Sequence, residues 1–375
     1  MYLQCERRRA SCPPRADRCG GNISILDNQK IFSSVDSENV VKYIDDFADQ
    51  VENTWLDLTN IVLPSYYIKI KNVIICGMGG SNLAGEIINS LYTRSTRPVK
   101  IIEDYEIPDY VDNETLAIFV SFSGNTEETV ISYKKATKKG ARAFVISTGG
   151  ALIEMAKSDE IPYFHYQYDS PPRFAVGISF TAVLSVLNKL AVINLSNIQI
   201  KEAILMLNAW TKKLSVDIPT ARNSAKQLAG KLFDKFPVIV GMGEIAGVAR
   251  TWEAQLNETA KTAAVVHTLP NLNHFAVSGT KFPKKSAKLF YIIIQSKYID
   301  PRLKIQENLL IQVLDKAGIN YETVFMHPTN DFLSEIYLNI LFAEYIGYYL
   351  AILNKINPSV TPLQSFIKNS LAEKE

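Results

Sequence analysis

A chain of 375 residues is long enough for two ordinary domains, or for one large α/β unit built in halves. Its 47% hydrophobic and 21% charged residues suit a globular protein with a sizeable buried core. A formal net charge of +2 supplies no broad basic surface, which argues against nucleic acid as the main partner. An anionic small molecule stays open, since a single phosphate needs only a local trap.

Residues 1–21 carry Arg and Cys but no apolar core of signal-peptide length, and are expected to form a disordered extension. Cys5, Cys12 and Cys19 lie there, and no further Cys or His completes a metal site around them. Cys76 sits in an apolar run, where a buried thiol is expected. This usage suggests no disulfide framework and fits a reducing cytoplasm.

Asp36 to Leu58 reads as an amphipathic helix capped by Ser or Asp. Val73–Cys76 then runs into Gly77-Met78-Gly79-Gly80-Ser81, the handover of a buried parallel strand to a helix. Strands are expected at 99–103, 117–121 and 142–147, with helices at 82–93 and 126–138. Such alternation predicts parallel crossover units with helices on both sheet faces. Residues 177–233 read as helical. A second handover follows, Pro237–Val240 into Gly241-Met242-Gly243-Glu244, with Gly241 placed 164 residues after Gly77. The recurrence predicts two related α/β halves, 37–195 and 196–375, packed together without a low-complexity linker. In the second half, 289–294 and 321–326 read as strands, and 302–317 and 331–353 as helices. Ile336–Leu353 is the most membrane-like stretch. It holds Asn339 and Glu344 and barely reaches bilayer length, so it is read as a buried helix and no membrane partner is expected.

The clearest chemistry lies in Ser121-Phe122-Ser123-Gly124-Asn125-Thr126-Glu127-Glu128-Thr129. The apolar run 116–120 precedes it and a helical pattern follows. The hydroxyls of Ser121, Ser123 and Thr126 therefore fall where a strand meets a helix N-terminus. Free N–H groups and the helix dipole favour an anion there, and Gly124 lets the backbone come close. An ordinary polar N-cap is the bland alternative. Gly241-x-Gly243-x-x-Ala246 partly fits a dinucleotide fingerprint, but a tight turn that needs small residues accounts for it equally.

Together these segments resemble the sugar isomerase (SIS) domain, and more narrowly the bifunctional phosphoglucose/phosphomannose isomerase family. The resemblance rests on Gly-Met-Gly-Gly-Ser at 77–81, the serine loop at 121–129, Asn257-Glu258, Leu272-Asn273-His274, and the pair Thr361 and Lys368. It spans about 37–372 and implies two SIS-type halves, each a parallel sheet flanked by helices. It also implies a hexose 6-phosphate substrate and a homodimer with sites at the subunit interface; the chemistry requires no metal or cofactor, and the sequence offers no compact His/Asp/Glu ligand cluster. By the same resemblance Gly80, Ser81, Ser121, Ser123 and Thr126 hold the phosphate, and Glu258 moves a proton between C1 and C2. His274 opens the sugar ring, reaching in from a second subunit. Arg173 steadies the enediolate, Lys368 assists near the ring oxygen, and Thr361 leaves room for either C2 epimer. Phe275-Ala276-Val277 departs from the more polar residues expected there, and residues 1–21 have no counterpart.

Chemistry asks for the same residue types. Aldose–ketose isomerisation needs a partly buried carboxylate base, a cation for the oxyanion and a group of near-neutral pKa for ring opening. Each residue also has a structural reading. Glu258 could pair with Lys261 along an exposed helix face. Arg173 could fix a Pro-rich loop, Thr361 could cap a helix before Pro362, and Lys368 could be solvated. His267, beside Val265 and Val266, reads as a structural strand residue. Three other functions compete: a non-catalytic sugar-phosphate sensor, a nucleotide-dependent oxidoreductase and an amino-sugar isomerase. The sensor class has no need of Glu258 with His274, and no helix-turn-helix segment with a basic recognition face is evident.

Overall fold

The computed structural model describes residues 25–282, 288–327, 329 and 331–372. The expected extension at 1–21, with its three cysteines, lies outside the described residues. The first half forms five strands, β1 Asn72–Cys76, β2 Val99–Ile102, β3 Thr115–Ser121, β4 Arg142–Ser147 and β5 Tyr163–His165. They pair in parallel in the order β2-β1-β3-β4-β5. The second half adds β6 Phe236–Met242, β7 Val265–Leu269, β8 Leu289–Gln295 and β9 Asn320–Phe325, parallel in the order β7-β6-β8-β9.

Strand periodicity sends alternate residues to opposite faces, and both faces are apolar. In the first sheet Ile75, Ile118 and Val120 join a core shared with Ile292 and Ile294 of the second, while Ile74, Ala117 and Phe119 pack under the outer helices. Cys76 is buried in β1, and burial pushes its thiol far above the ordinary range.

The shared core is built around the helix Phe332–Asn354, buried from Phe332 to Leu353. A helix that is apolar all round belongs at the centre of a core. It packs on the helices Asn197–Leu214, Ser224–Leu232 and Ala246–Ala254. Asp331 caps its start through the N–H groups of Leu333 and Ser334. The helices Leu83–Ser90 and Ala246–Ala254 cross so closely that a Cβ on Gly247 would lie 2.1 Å from the Glu86 carbonyl oxygen.

One expected helix is interrupted. Asp36 does cap, its carboxylate accepting the N–H groups of Val40 and Val41 and the Tyr348 hydroxyl. Asn39, however, takes φ +53, so the helix starts only at Val41, and a turn at Asp46 then divides the segment into Val41–Asp45 and Phe47–Thr59. The helical region from 177 resolves into Val176–Lys189, Asn197–Leu214 and Ser224–Leu232, the second opened by a Ser196–Gln199 capping box.

Candidate active site

The serine loop leaves the C-terminal end of β3 and enters the helix Glu127–Lys138. Buried Ser121 places its Oγ 2.8 Å from Thr126 Oγ1 and accepts the Gly124 N–H. Exposed Ser123 accepts the Asn125 N–H. Thr126 stands at the N-cap, yet no side chain caps the helix, so its first N–H groups lack a side-chain acceptor. Together with the hydroxyls they form a set of donors suited to a dianion.

Gly124 is essential to this shape. Its φ is +69, and an added Cβ would lie 1.8 Å from the Gly149 carbonyl oxygen. The loop after β4 buttresses it: Thr148 donates to the Phe122 carbonyl, Leu152 N–H to the Gly124 carbonyl, and Ala151 N–H to Asn125 Oδ1. Sequence reasoning missed this support, although Ser147-Thr148-Gly149-Gly150 repeats the strand-to-glycine handover.

From this loop a continuous run of contacts leads to the charged residues. Phe122 N–H donates to Ser81 Oγ at 3.1 Å. Neighbouring Gly80 lies against the Arg173 backbone, where a Cβ would stand 3.3 Å from its Cα. Arg173 is buried, and its Nη1 lies 4.0 Å from Glu258 Oε2. The remainder of the guanidinium is engaged by the protein. Its Nε donates to Thr259 Oγ1 at 3.0 Å, and Nη2 to the carbonyls of Pro358 and Ser359. Nη1 therefore faces the carboxylate as the edge left for a ligand. Burial draws the guanidinium below its ordinary pKa, opposed by Glu258 and Glu38.

Glu258 occupies a π-helical turn, Gln255–Thr259, rather than an exposed helix face. Such turns recur at functional positions because they re-aim side chains out of the regular helical register. Its side chain is 20% exposed, screened from water yet reachable. Buried Gln255, another residue unforeseen from sequence, donates to the Arg173 carbonyl and accepts from Thr259. Asn257 shapes the following loop by exchanging hydrogen bonds with the backbone of Ala264. The suggested pairing of Glu258 with Lys261 as helix neighbours gives way to the Arg173 contact. Lys261 takes φ +51 and donates instead to the Asn357 carbonyl at 3.0 Å.

His274 ends the short turn Asn271–His274 and is exposed, as is Phe275. Asn273 holds this turn to Gln306. Among the described residues, no hydrogen bond or ion pair joins His274, Thr361 or Lys368 to Glu258 or Arg173. Thr361 immediately precedes the helix Pro362–Ala372, its carbonyl accepting from Ser365 N–H, and Lys368 is exposed on that helix. His267 lies in β7, its ring edge-on to Phe275. A separate groove of about 450 Å³ lies beside Gly243, His267 and Arg250. Arg250 there is taken up by Glu86 and Glu253, and the groove reaches neither Glu258 nor the serine loop, so it is not where these groups converge.

Residues 66–193 match the SIS domain, and residues 221–371 match the bacterial phospho-glucose isomerase C-terminal SIS domain. A bifunctional phosphoglucose/phosphomannose isomerase of Caldicellulosiruptor bescii is 33% identical over 81% of this chain and 90% of its own length. The chain belongs to that family. The Thermoplasma acidophilum member is 31% identical over 77% of this chain and 86% of its own. The fold is shared with a hypothetical protein of Thermus thermophilus at TM-score 0.72 and 14% identity, covering 95% of each chain. The expected architecture of two SIS-type parallel sheets flanked by helices is therefore the one observed.

Proposed function

We propose that the chain interconverts glucose 6-phosphate and mannose 6-phosphate with fructose 6-phosphate through an enediol(ate). The carrying observation is the juxtaposition of Glu258 with the Nη1 edge of buried Arg173, beside Gly80 and the serine loop. The phosphate binds at Ser81, Ser121, Ser123 and Thr126, fixing the far end of the sugar. Glu258 removes the proton from C2 of the aldose and returns it to C1. Arg173 Nη1 meets the charge developing on the substrate oxygen, in a site where burial strengthens the interaction. The family's names support this reading over a non-catalytic sensor.

The exposed position of His274, unconnected to Glu258, supports its delivery to the site of a partner copy in a homodimer, where it opens the ring. Thr361 and Lys368 complete the sugar end of the site. We place the enzyme in the cytoplasm, consistent with the buried, unpaired Cys76. The test is NMR of purified protein with fructose 6-phosphate. Both aldose phosphates should appear, and Glu258→Gln should lower kcat by about 10²–10⁴-fold, the span of general-base catalysis. Sugar-phosphate binding without conversion by folded wild-type protein would favour a sensor.

A further inference from the structure

We propose that Lys261 is a positioning residue of this site, which with Arg173 fastens the turn bearing Glu258 to the segment 357–359 leading to Thr361. The catalytic part of this proposal rests on the isomerase reading. Lys261 follows the π-helical turn by two residues and is held at φ +51, a region that residues with side chains rarely adopt unless their surroundings require it. Its Nζ donates to the carbonyl of Asn357 at 3.0 Å and, more weakly, to that of Thr259 at 3.4 Å. Arg173 Nη2 donates to the next two carbonyls, Pro358 and Ser359. Three successive carbonyls, of Asn357, Pro358 and Ser359, thus face two cations. The segment is also tied by Ser359 Oγ to Glu38 and by Asn357 Nδ2 to Ser37.

Two charged groups act on Lys261. Half-burial and the neighbouring Arg173 guanidinium lower its pKa to about 8, while the Glu258 carboxylate pulls it upward. Below that value Glu258 lies in the field of two cations. Above it only Arg173 remains charged, and the bond to Asn357 loses its charge assistance. Protonated Lys261 supports the active arrangement, so that support fades as pH rises through about 8.

Two measurements test the assignment. Lysine 13Cε NMR should show Lys261 titrating near 8 in the wild type, and lower in Glu258→Gln because the carboxylate that raised it is gone. In kinetics, Lys261→Met should lower kcat for fructose 6-phosphate roughly 10-fold with KM within about 2-fold, since it acts on the base and not on the phosphate loop. It should also remove the alkaline fall in activity, and Lys261→Arg should restore kcat while moving that fall to higher pH. Titration of Lys261 as an ordinary lysine, unmoved in Glu258→Gln, would overturn the proposal whether or not the chain is active. So would a folded Lys261→Met with wild-type kcat and pH profile, and Lys261→Arg keeps the test decisive if the methionine variant does not fold. The expected titration in a chain that does not isomerise would remove the isomerase reading while leaving the coupling of Lys261 to Glu258 in place.

Discussion

Equivalent strands of the two sheets end in loops of opposite character. After β3, the hydroxyls of Ser121, Ser123 and Thr126 surround a helix N-terminus that no side chain caps. After β8, the corresponding donors are answered by the protein itself. Ser296 Oγ donates to Glu335, which also accepts the Lys297 N–H and the Thr329 hydroxyl, and Asp300 caps the helix Pro301–Ala317. A carboxylate thus stands in the second half where the first half leaves room for an anion. The turns after β1 and β6 differ in the same sense. Gly79 and Gly243 share a left-handed conformation, φ +53 and +54, but Gly80-Ser81 is matched by Glu244-Ile245. Glu244 accepts from Thr93 and Arg94 of the first half, so this turn serves as a strut. The order β2-β1-β3-β4 recurs as β7-β6-β8-β9, and a few side chains decide which copy is open to a ligand.

The sharpest test sets glycine against glycine. In Gly124→Ala, the left-handed backbone alone costs about 1–2 kcal/mol, and the 1.8 Å approach to Gly149 forces the loop apart. Isomerisation should be lost, with a clear fall in melting temperature. Gly243→Ala carries similar backbone strain, but its Cβ meets nothing closer than 3.4 Å. It should be destabilised by about 1–2 kcal/mol with kcat/KM retained. Equal loss of activity in both would mean that the second turn also serves the reaction.

The scaffold was legible because its signals are local. Apolar runs marked β1 to β4, β6, β8 and β9, while Tyr163–His165 in β5 is too short to form such a run. The segment Asp36 to Leu58 reads as one continuous helix, because neither the left-handed Asn39 nor the turn at Asp46 is marked by a Gly or Pro. The phosphate loop was legible for the same local reason, as a strand, hydroxyls and a helix start in one short stretch. The surroundings of Arg173 were not. Its donors reach Thr259, Pro358 and Ser359, 86 to 186 residues away, and no periodicity in a single sequence announces such partners.

Serines divide the halves next. Ser123 is exposed, so Ser123→Ala should stay within about 0.5 kcal/mol of wild-type stability while raising KM for fructose 6-phosphate by roughly 10-fold, the value of about one hydrogen bond to a charged group. Ser296→Ala should do the reverse, costing about 1–3 kcal/mol by removing a donor from buried Glu335 and leaving KM unchanged. Urea unfolding and steady-state kinetics on both variants read the two effects separately.

Glu335 gives the second loop a pH signature. Burial raises its pKa above the ordinary 4.5, outweighing the hydrogen bonds from Ser296, Lys297 and Thr329 that lower it. The folded state therefore holds this proton more tightly than the unfolded chain. The contribution to stability is largest at low pH and declines as pH rises from the unfolded value through the raised folded one. Glu335→Gln should remove that decline, seen as a wild-type-minus-variant difference in unfolding free energy that falls with pH from about 4.5 upward. A flat difference would mean that the hydrogen bonds fully compensate for burial.

The strut at Glu244 carries the smallest expected effect. Arg94 Nε meets Glu244 Oε2 at 2.7 Å with side chains 34% and 15% exposed, so solvent screens much of the attraction. Arg94 also lies over the Phe332 ring, 3.7 Å from its centroid, a contact that survives loss of the carboxylate. Glu244→Gln should therefore cost about 0.2–1 kcal/mol, less at high salt, with kcat/KM for fructose 6-phosphate unchanged. A larger loss, or an effect on turnover, would show that the halves communicate through this turn. If the cost stays small and dependent on salt, what holds the halves together is the apolar helix Phe332–Asn354 and the crossing at Gly247, with Glu244 only aligning one turn against the other.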